Sequence, residues 1–211
     1  CPVLKNLLEN QNQLTHIYAV IWTTTPWTIP VNQAIAFSPD IDYVLASYVT
    51  GSNHSVHCVV AKNLLEEFEK RAAAFETTDA NPFPLNRYRI DDIRGIELLG
   101  AKASHPMGFM APSARENVAF NTESPLAEFY RRPRPFLPGD FVTTDSGTGL
   151  VHMAPDHGED DFDLCKAHGI DPVFAVQGDG KYRDDWAWLG GQGSVINPKF
   201  NAPDGPICSD L

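Results

Sequence analysis

From His16 to Ala61 the apolar residues come in short runs, "HIYAVIW", "QAIAFS", "YVLASYV" and "SVHCVVA", separated by Pro, Asp, Gly and Asn. This punctuation is the tightest constraint on the fold. Runs this short, bounded by turn-forming residues, read as strands, and the near-continuous His16–Trp22 run reads as a buried one. "GIELLGAKASHP", "FVTTD" and "GLVHMA" extend the pattern downstream. Two segments break it. In "KNLLEEFEKRAAAF", Leu64, Leu65, Phe68 and Ala72 recur at helical spacing with charges opposite, which predicts a helix over 62–75. "DHGEDDFDLCKAHG" predicts a second helix, with Asp156 as its cap, Glu159 three residues on and Gly169 as its stop. "TTDANPFPLN" and the Gly/Pro-rich tail from about 177 read as loop. Many short strands with two helices predict a mainly β, α+β fold: a barrel or sandwich with peripheral helices.

A chain of 211 residues with 43% hydrophobic content can bury the core of one generous domain, so residues 1–211 read as a single domain. No apolar run reaches membrane-spanning length and no signal peptide is visible, which points to a cytoplasmic protein. Its first residue is Cys1, as expected of a segment cut from a longer protein. Cys1, Cys58, Cys165 and Cys208 are scattered without a CxxC pair, so reduced thiols are expected and a cysteine zinc site is not. A net charge of -11 argues against a free-standing nucleic-acid binder. Arg87, Arg89 and Arg94, and then "RRPRP" at 131–135, run against that trend and read as solvated faces or a modest RNA contact.

Two stretches carry candidate chemistry. In "IWTTTPWTIP" three β-branched hydroxyl residues lie between Trp22 and Trp27 and before Pro26. Extended backbone would point Thr23 and Thr25 one way and Thr24 the other. The run is either a strand end or one wall of a polar pocket. In "DSGTGLVHMAPDHGEDD" small residues, two histidines and several carboxylates surround one strand–turn–helix, where pockets form. Asp161 would fall in the early turns of the helix, whose dipole favours an ionised carboxylate, suited to a cation such as an α-ammonium. The plainer reading is an acidic helix start. His152, His157 and Asp161 together match no standard zinc spacing, so no metal is expected. "DSGTG" also resembles the aspartic-protease signature. That chemistry needs two carboxylates sharing a proton, and no second copy exists here.

Taken in order, "WTTTPWTIPVNQAI" and "GTGLVHMAPDHGEDDF" resemble the editing domain of isoleucyl-tRNA synthetases, the insertion called connective peptide 1. The valyl and leucyl enzymes carry an Arg in the threonine segment, where this chain has Thr25. The resemblance implies a β-barrel core with peripheral helices and hydrolysis of the ester of tRNA mischarged with valine. It implies no cofactor, and as partners the acceptor end of tRNA(Ile) and the rest of a synthetase chain. Residue by residue, it assigns the threonine wall to Thr23, Thr24 and Thr25, with Trp22, Asn32 and Gly149 lining the substrate site. His152 would border the valine pocket, and Asp161 would grip the α-ammonium. A water positioned by these groups would attack, assisted by the tRNA's own terminal hydroxyl, since no threonine has an adjacent base. The alternatives are the protease-like hydrolase using "DSGTG" and a tRNA-binding module with an inactive site.

Overall fold

The computed structural model describes residues 16–49, 55–74, 86–108, 125–186 and 193–200, with 202 and 205. The chain divides into two compact units, each assembled from three separate stretches. The first comprises Cys1–Trp22, Ile35–Ala101 and Phe136–His152, and the second Thr23–Ala34, Lys102–Pro135 and Met153–Leu211.

In the first unit β3 (Asp42–Val49) forms an antiparallel hairpin with β4 (Ser55–Ala61), in register from Val49–Ser55 to Tyr43–Ala61. On its other side β3 pairs antiparallel with β5 (Asn86–Arg94), with an irregularity between Ser47 and Tyr48. The short β1 (Ile17–Ala19) lies parallel to β4, completing the order β1-β4-β3-β5. Alternation sends Val44, Ala46 and Tyr48 to one face with Cys58 and Val60. There they form a core with Leu65 of α1 (Leu65–Ala74), against which Phe68 packs. The Tyr48 hydroxyl donates to Glu69 at 3.0 Å, tying that helix to the sheet. A second set of strands pairs β2 (Ala34–Phe37) in parallel with β7 (Arg134–Pro138), Ile35 opposite Phe136, with β8 (Val151–Met153) on the other side of β2.

The second unit is built mostly of turns and short helices. A 3₁₀ turn covers Pro26–Val31, and β6 (Lys102–Ala103) pairs antiparallel with Pro135 and Arg134. Two helices follow, α2 (Pro125–Arg131) and α3 (Glu159–Ala167). Val31, Met107, Phe129, Tyr130, Ala154, Tyr182, Trp186 and Phe200 meet in its core.

The mainly β architecture with peripheral helices is as expected, and no strand pairing among the described residues closes a barrel. Several local expectations are corrected. The His16–Trp22 run is a three-residue edge strand rather than a buried one. With one neighbour it leaves Tyr18 52% exposed. "GIEL" is a 3₁₀ turn, and "FVTTD" is turn and bend. The second helix is capped by Gly158, without a side-chain hydrogen bond, and not by Asp156. Gly169 does end it, at φ +72. Arg87, Arg89 and Arg94 lie on or beside β5, each within 3.4 Å of a carboxylate, on Glu69, Asp91 and Glu97 respectively. The "TTDANPFPLN" loop lies outside the described residues except for Asn86, which opens β5, and so do Cys1 and Cys208. Cys58 and Cys165 are buried free thiols. Among the described residues no helix is long and apolar enough to cross a membrane.

Candidate active site

The threonine run does not stay extended. The chain bends at Thr24, and Thr25, at φ -129 and ψ 72, becomes the N-cap of the 3₁₀ turn that Pro26 starts. Proline suits that first position because it has no amide hydrogen to leave unpaired. Thr23 Oγ1 therefore turns back to accept the Thr25 amide at 3.0 Å. The hydroxyls of Thr24 and Thr25 come within 3.5 Å of each other. The expected alternation is thus lost, and two neighbouring hydroxyls meet instead. Thr28 fixes the bend from below, its amide and its hydroxyl both donating to the Thr25 carbonyl. Asn32, 2% exposed, spends its side-chain amide on the Ala34 carbonyl at 2.9 Å.

In the same unit, the turn Pro155–Gly158 and the start of α3 line an open cleft of about 510 Å³, with Phe162, Pro172 and Phe174 as its apolar part. Asp161 Oδ2 accepts the Ala154 amide at 2.6 Å. Its Oδ1 lies against Gly158, where an added Cβ would sit 3.1 Å from that oxygen, so the glycine lets the carboxylate come close to the turn. Burial pushes the Asp161 carboxyl above its ordinary range. The Ala154 amide opposes this, the Asp160 and Asp156 carboxylates add to it, and His157 opposes it. The helix start therefore does not hold this carboxylate as firmly ionised as its position in sequence suggests. His157 stands edge-on to Trp27, 4.6 Å between ring centres, with its Nε2 2.9 Å from Asp156 Oδ2. The Tyr182 hydroxyl donates to the Trp27 carbonyl, holding that residue's backbone in place.

Trp22, Gly149 and His152 belong to the first unit. Trp22 bridges to Val151, donates its amide to Leu150, and carries the Arg71 guanidinium 4.5 Å over its ring. His152 is buried at 5% exposure on β8. The glycines of "DSGTG" have packing duties. A Cβ on Gly147 would meet the Trp22 ring at 2.9 Å, and one on Gly149 would meet Ala61 Cβ at 2.4 Å. Gly149 also sits at φ +75, and its carbonyl accepts the buried Tyr43 hydroxyl at 2.8 Å. A left-handed residue with a side chain costs about 1–2 kcal/mol, and overpacking about 1–3 more. Gly149→Ala is therefore expected to lower unfolding free energy by about 2–5 kcal/mol in urea titration. Adding Ala61→Gly should recover part of that loss. A double variant no better than the sum of the singles would place the strain elsewhere.

Sequence reasoning missed Arg134. It sits in a run expected to be solvated, yet it is 2% exposed. Its guanidinium donates to the carbonyls of Asn32 at 2.8 Å, Phe129 at 2.9 Å and Arg132, and lies 4.7 Å over the Phe129 ring. Burial lowers its pKa to about 10, with Arg132 adding to the shift and Tyr130 opposing it. The prolines on either side, which hold the backbone extended, were the only cue in the sequence. No group of three or more His, Cys, Asp or Glu side chains among the described residues is placed to hold a metal ion.

The solved structure of GlLeuRS-CP1 superposes with a TM-score of 0.53 at 22% identity, covering 78% of this chain and 49% of that one. The fold is that of the CP1 domain in that structure. No family model matches the sequence. The isoleucine–tRNA ligase of Zymomonas mobilis is 52% identical over 194 residues, 92% of this chain and 17% of that enzyme. That of Gluconobacter oxydans is 41% identical over 181 residues, 86% and 16% respectively. The chain belongs to the isoleucine–tRNA ligase family, of whose members it matches one segment, about a sixth of their length.

Proposed function

We propose that this segment hydrolyses the aminoacyl ester of Val-tRNA(Ile) and spares Ile-tRNA(Ile), acting within a larger cytoplasmic synthetase. The observation that carries the reading is membership of the isoleucine–tRNA ligase family together with a CP1 fold. A ligase for isoleucine has a selectivity problem that binding alone does not solve. One methylene is worth only about 1–3 kcal/mol, a magnitude already known for isoleucine against valine and not obtained from this structure. A second site that admits the smaller side chain and excludes the larger one removes the error.

In this reading Asp161 holds the α-ammonium of the valyl group. The hydroxyls of Thr23, Thr24 and Thr25 form a neutral wall that hydrogen-bonds the terminal ribose and the ester, with Asn32 beside it; Trp22 and Gly149 are assigned to substrate binding on the resemblance of their motifs. His152 serves the size sieve. The clustered, partly exposed hydroxyls of Thr24 and Thr25 support this assignment, as does the closeness of Asp161 to the turn. The ester is attacked by water, so positioning and electrostatics supply most of the rate. No cofactor takes part.

The test is loss of each ester on incubation of the protein with Val-tRNA(Ile) and with Ile-tRNA(Ile). Val-tRNA(Ile) should be cleared and Ile-tRNA(Ile) spared, with EDTA making no difference. Hydrolysis of neither, with tRNA still bound, would make the segment an inert tRNA-binding module. Activity lost to EDTA and restored by zinc would assign a metal to the histidines and Asp161.

A further inference from the structure

The deacylase reading gives the attacking water no base from the protein beside the tRNA's own terminal hydroxyl, because Asp161 is committed to the ammonium and the threonines are neutral hydroxyls. The cleft at the start of α3 holds one feature that reading does not use. The Asp156 side chain is 1% exposed, yet neither of its oxygens makes a hydrogen bond of good geometry among the described residues. His157 Nε2 approaches Asp156 Oδ2 to 2.9 Å, off the angle of a hydrogen bond, and is itself unsatisfied. Burying a carboxylate without donors is costly, and a buried polar group that the chain itself does not satisfy points to a bound water or a catalytic role. Both residues line the cleft, and the imidazole is braced by Trp27, two positions past Thr25.

We propose that Asp156 and His157 form the proton-accepting pair of the deacylation site, with Asp156 against Nε2 of the imidazole and the hydrolytic water held on its other ring nitrogen. The proposal rests on the deacylase reading. As the water oxygen bonds to the ester carbonyl carbon, one of its protons passes to the pair. The bond from that carbon to the ribose oxygen then breaks, and the proton is returned to the departing ribose oxygen. The products are valine and tRNA with a free terminal hydroxyl, and the pair is restored. Among the described residues, the titratable groups that face the pair are Glu159 on the cleft wall, Asp161 on α3 and the Tyr182 hydroxyl, which interacts with Asp156. Trp27 on the 3₁₀ turn and the Pro172–Phe174 wall bring no charge.

Single-turnover hydrolysis of Val-tRNA(Ile) by the whole synthetase, followed from pH 5 to 9, tests this. The wild-type rate should rise with pH and level off. His157→Gln should fall about a hundredfold or more, as expected for loss of a general base. Its residual rate should climb with hydroxide concentration and show no plateau. Asp156→Asn should fall in the same way, and the double variant no further, because the two act as a unit. The substrate's own α-ammonium titrates alike in every variant, so the difference between profiles is the readout. A merely structural pair would lower the melting temperature or raise KM and leave the shape of the profile intact. A folded His157→Gln with the wild-type profile would overturn the proposal. If that variant does not fold, the isosteric Asp156→Asn decides on the same profile. A wild-type enzyme that deacylates while both variants match it removes the pair alone; one that does not deacylate removes the deacylase reading with it.

Discussion

Asp161→Asn is expected to lose deacylation and gain stability. A charge-assisted hydrogen bond to the α-ammonium is worth about 1.5–3 kcal/mol, which is roughly tenfold to 150-fold in rate. The amide keeps the shape and can still accept the Ala154 amide, so the loss would report the charge alone. The wild-type enzyme should leave N-acetyl-Val-tRNA almost untouched, since acetylation removes the same contact from the substrate's side. Once Asp161 is gone, acetylation should matter far less, apart from its bulk. The stability effect follows from burial. A carboxyl whose folded pKa is raised binds its proton more tightly folded than unfolded. Its favourable contribution is complete below the ordinary value of 3.8 and is lost as pH rises through the folded pKa. Above its folded pKa the wild type therefore carries an ionised, desolvated group, and there Asp161→Asn should melt higher. That gap should close as pH falls toward 3.8. Near-wild-type turnover by a folded Asp161→Asn would return the carboxylate to the status of an acidic helix start.

Arg134→Met should produce the largest loss of stability among single changes considered. It removes a buried cation and leaves the carbonyls of Asn32, Phe129 and Arg132 without the donor they share. Loss of a buried hydrogen-bonded cation costs about 3–5 kcal/mol, moderated here because the Phe129 carbonyl keeps the Arg132 amide at 3.3 Å. Arg134→Lys keeps the charge but cannot serve three diverging acceptors from one nitrogen, so it should fall between. Denaturant titration gives both values. A cost below about 1 kcal/mol for Arg134→Met would mean that water replaces the guanidinium at little expense. Because Arg134 holds the carbonyl at the end of the 3₁₀ turn that follows the threonines, Arg134→Lys should also slow deacylation.

The strands β2, β3 and β4 and both helices predicted from the sequence were legible because short-range signals decide them: β-branched runs, helical periodicity and a glycine stop at Gly169. What sequence reasoning missed depends on partners distant in the chain. β7 contains Pro135 and Pro138, which count against a strand, yet it is accepted as the parallel partner of β2 about a hundred residues away. β5 mixes Arg, Tyr and Asp at a sheet edge, where one flank needs no apolar cover. Local propensity misjudged the threonines because Pro26 opens a 3₁₀ turn at that point. Burial of Arg134 depends on three carbonyls brought to it by the fold, which no local pattern encodes. The candidate residues Thr23–Thr25 and Asp161 were legible as a motif, whereas the orphaned Asp156 carboxylate became visible only once its surroundings were placed.

The alternating assignment of the chain to its two units has a consequence during synthesis. The chain passes between units after Trp22, Ala34, Ala101, Pro135 and His152. Tyr43 finds the acceptor for its hydroxyl 106 residues later, at Gly149. At roughly 5–20 residues per second, that interval is about 5–20 s of translation. Throughout it, the hairpin of β3 and β4 can form but the Tyr43–Gly149 bond cannot. A nascent chain of this family therefore also emerges with β2 unpaired for seconds, because its neighbours β7 and β8 follow about a hundred residues later, long enough for a chaperone to bind it before the segment closes.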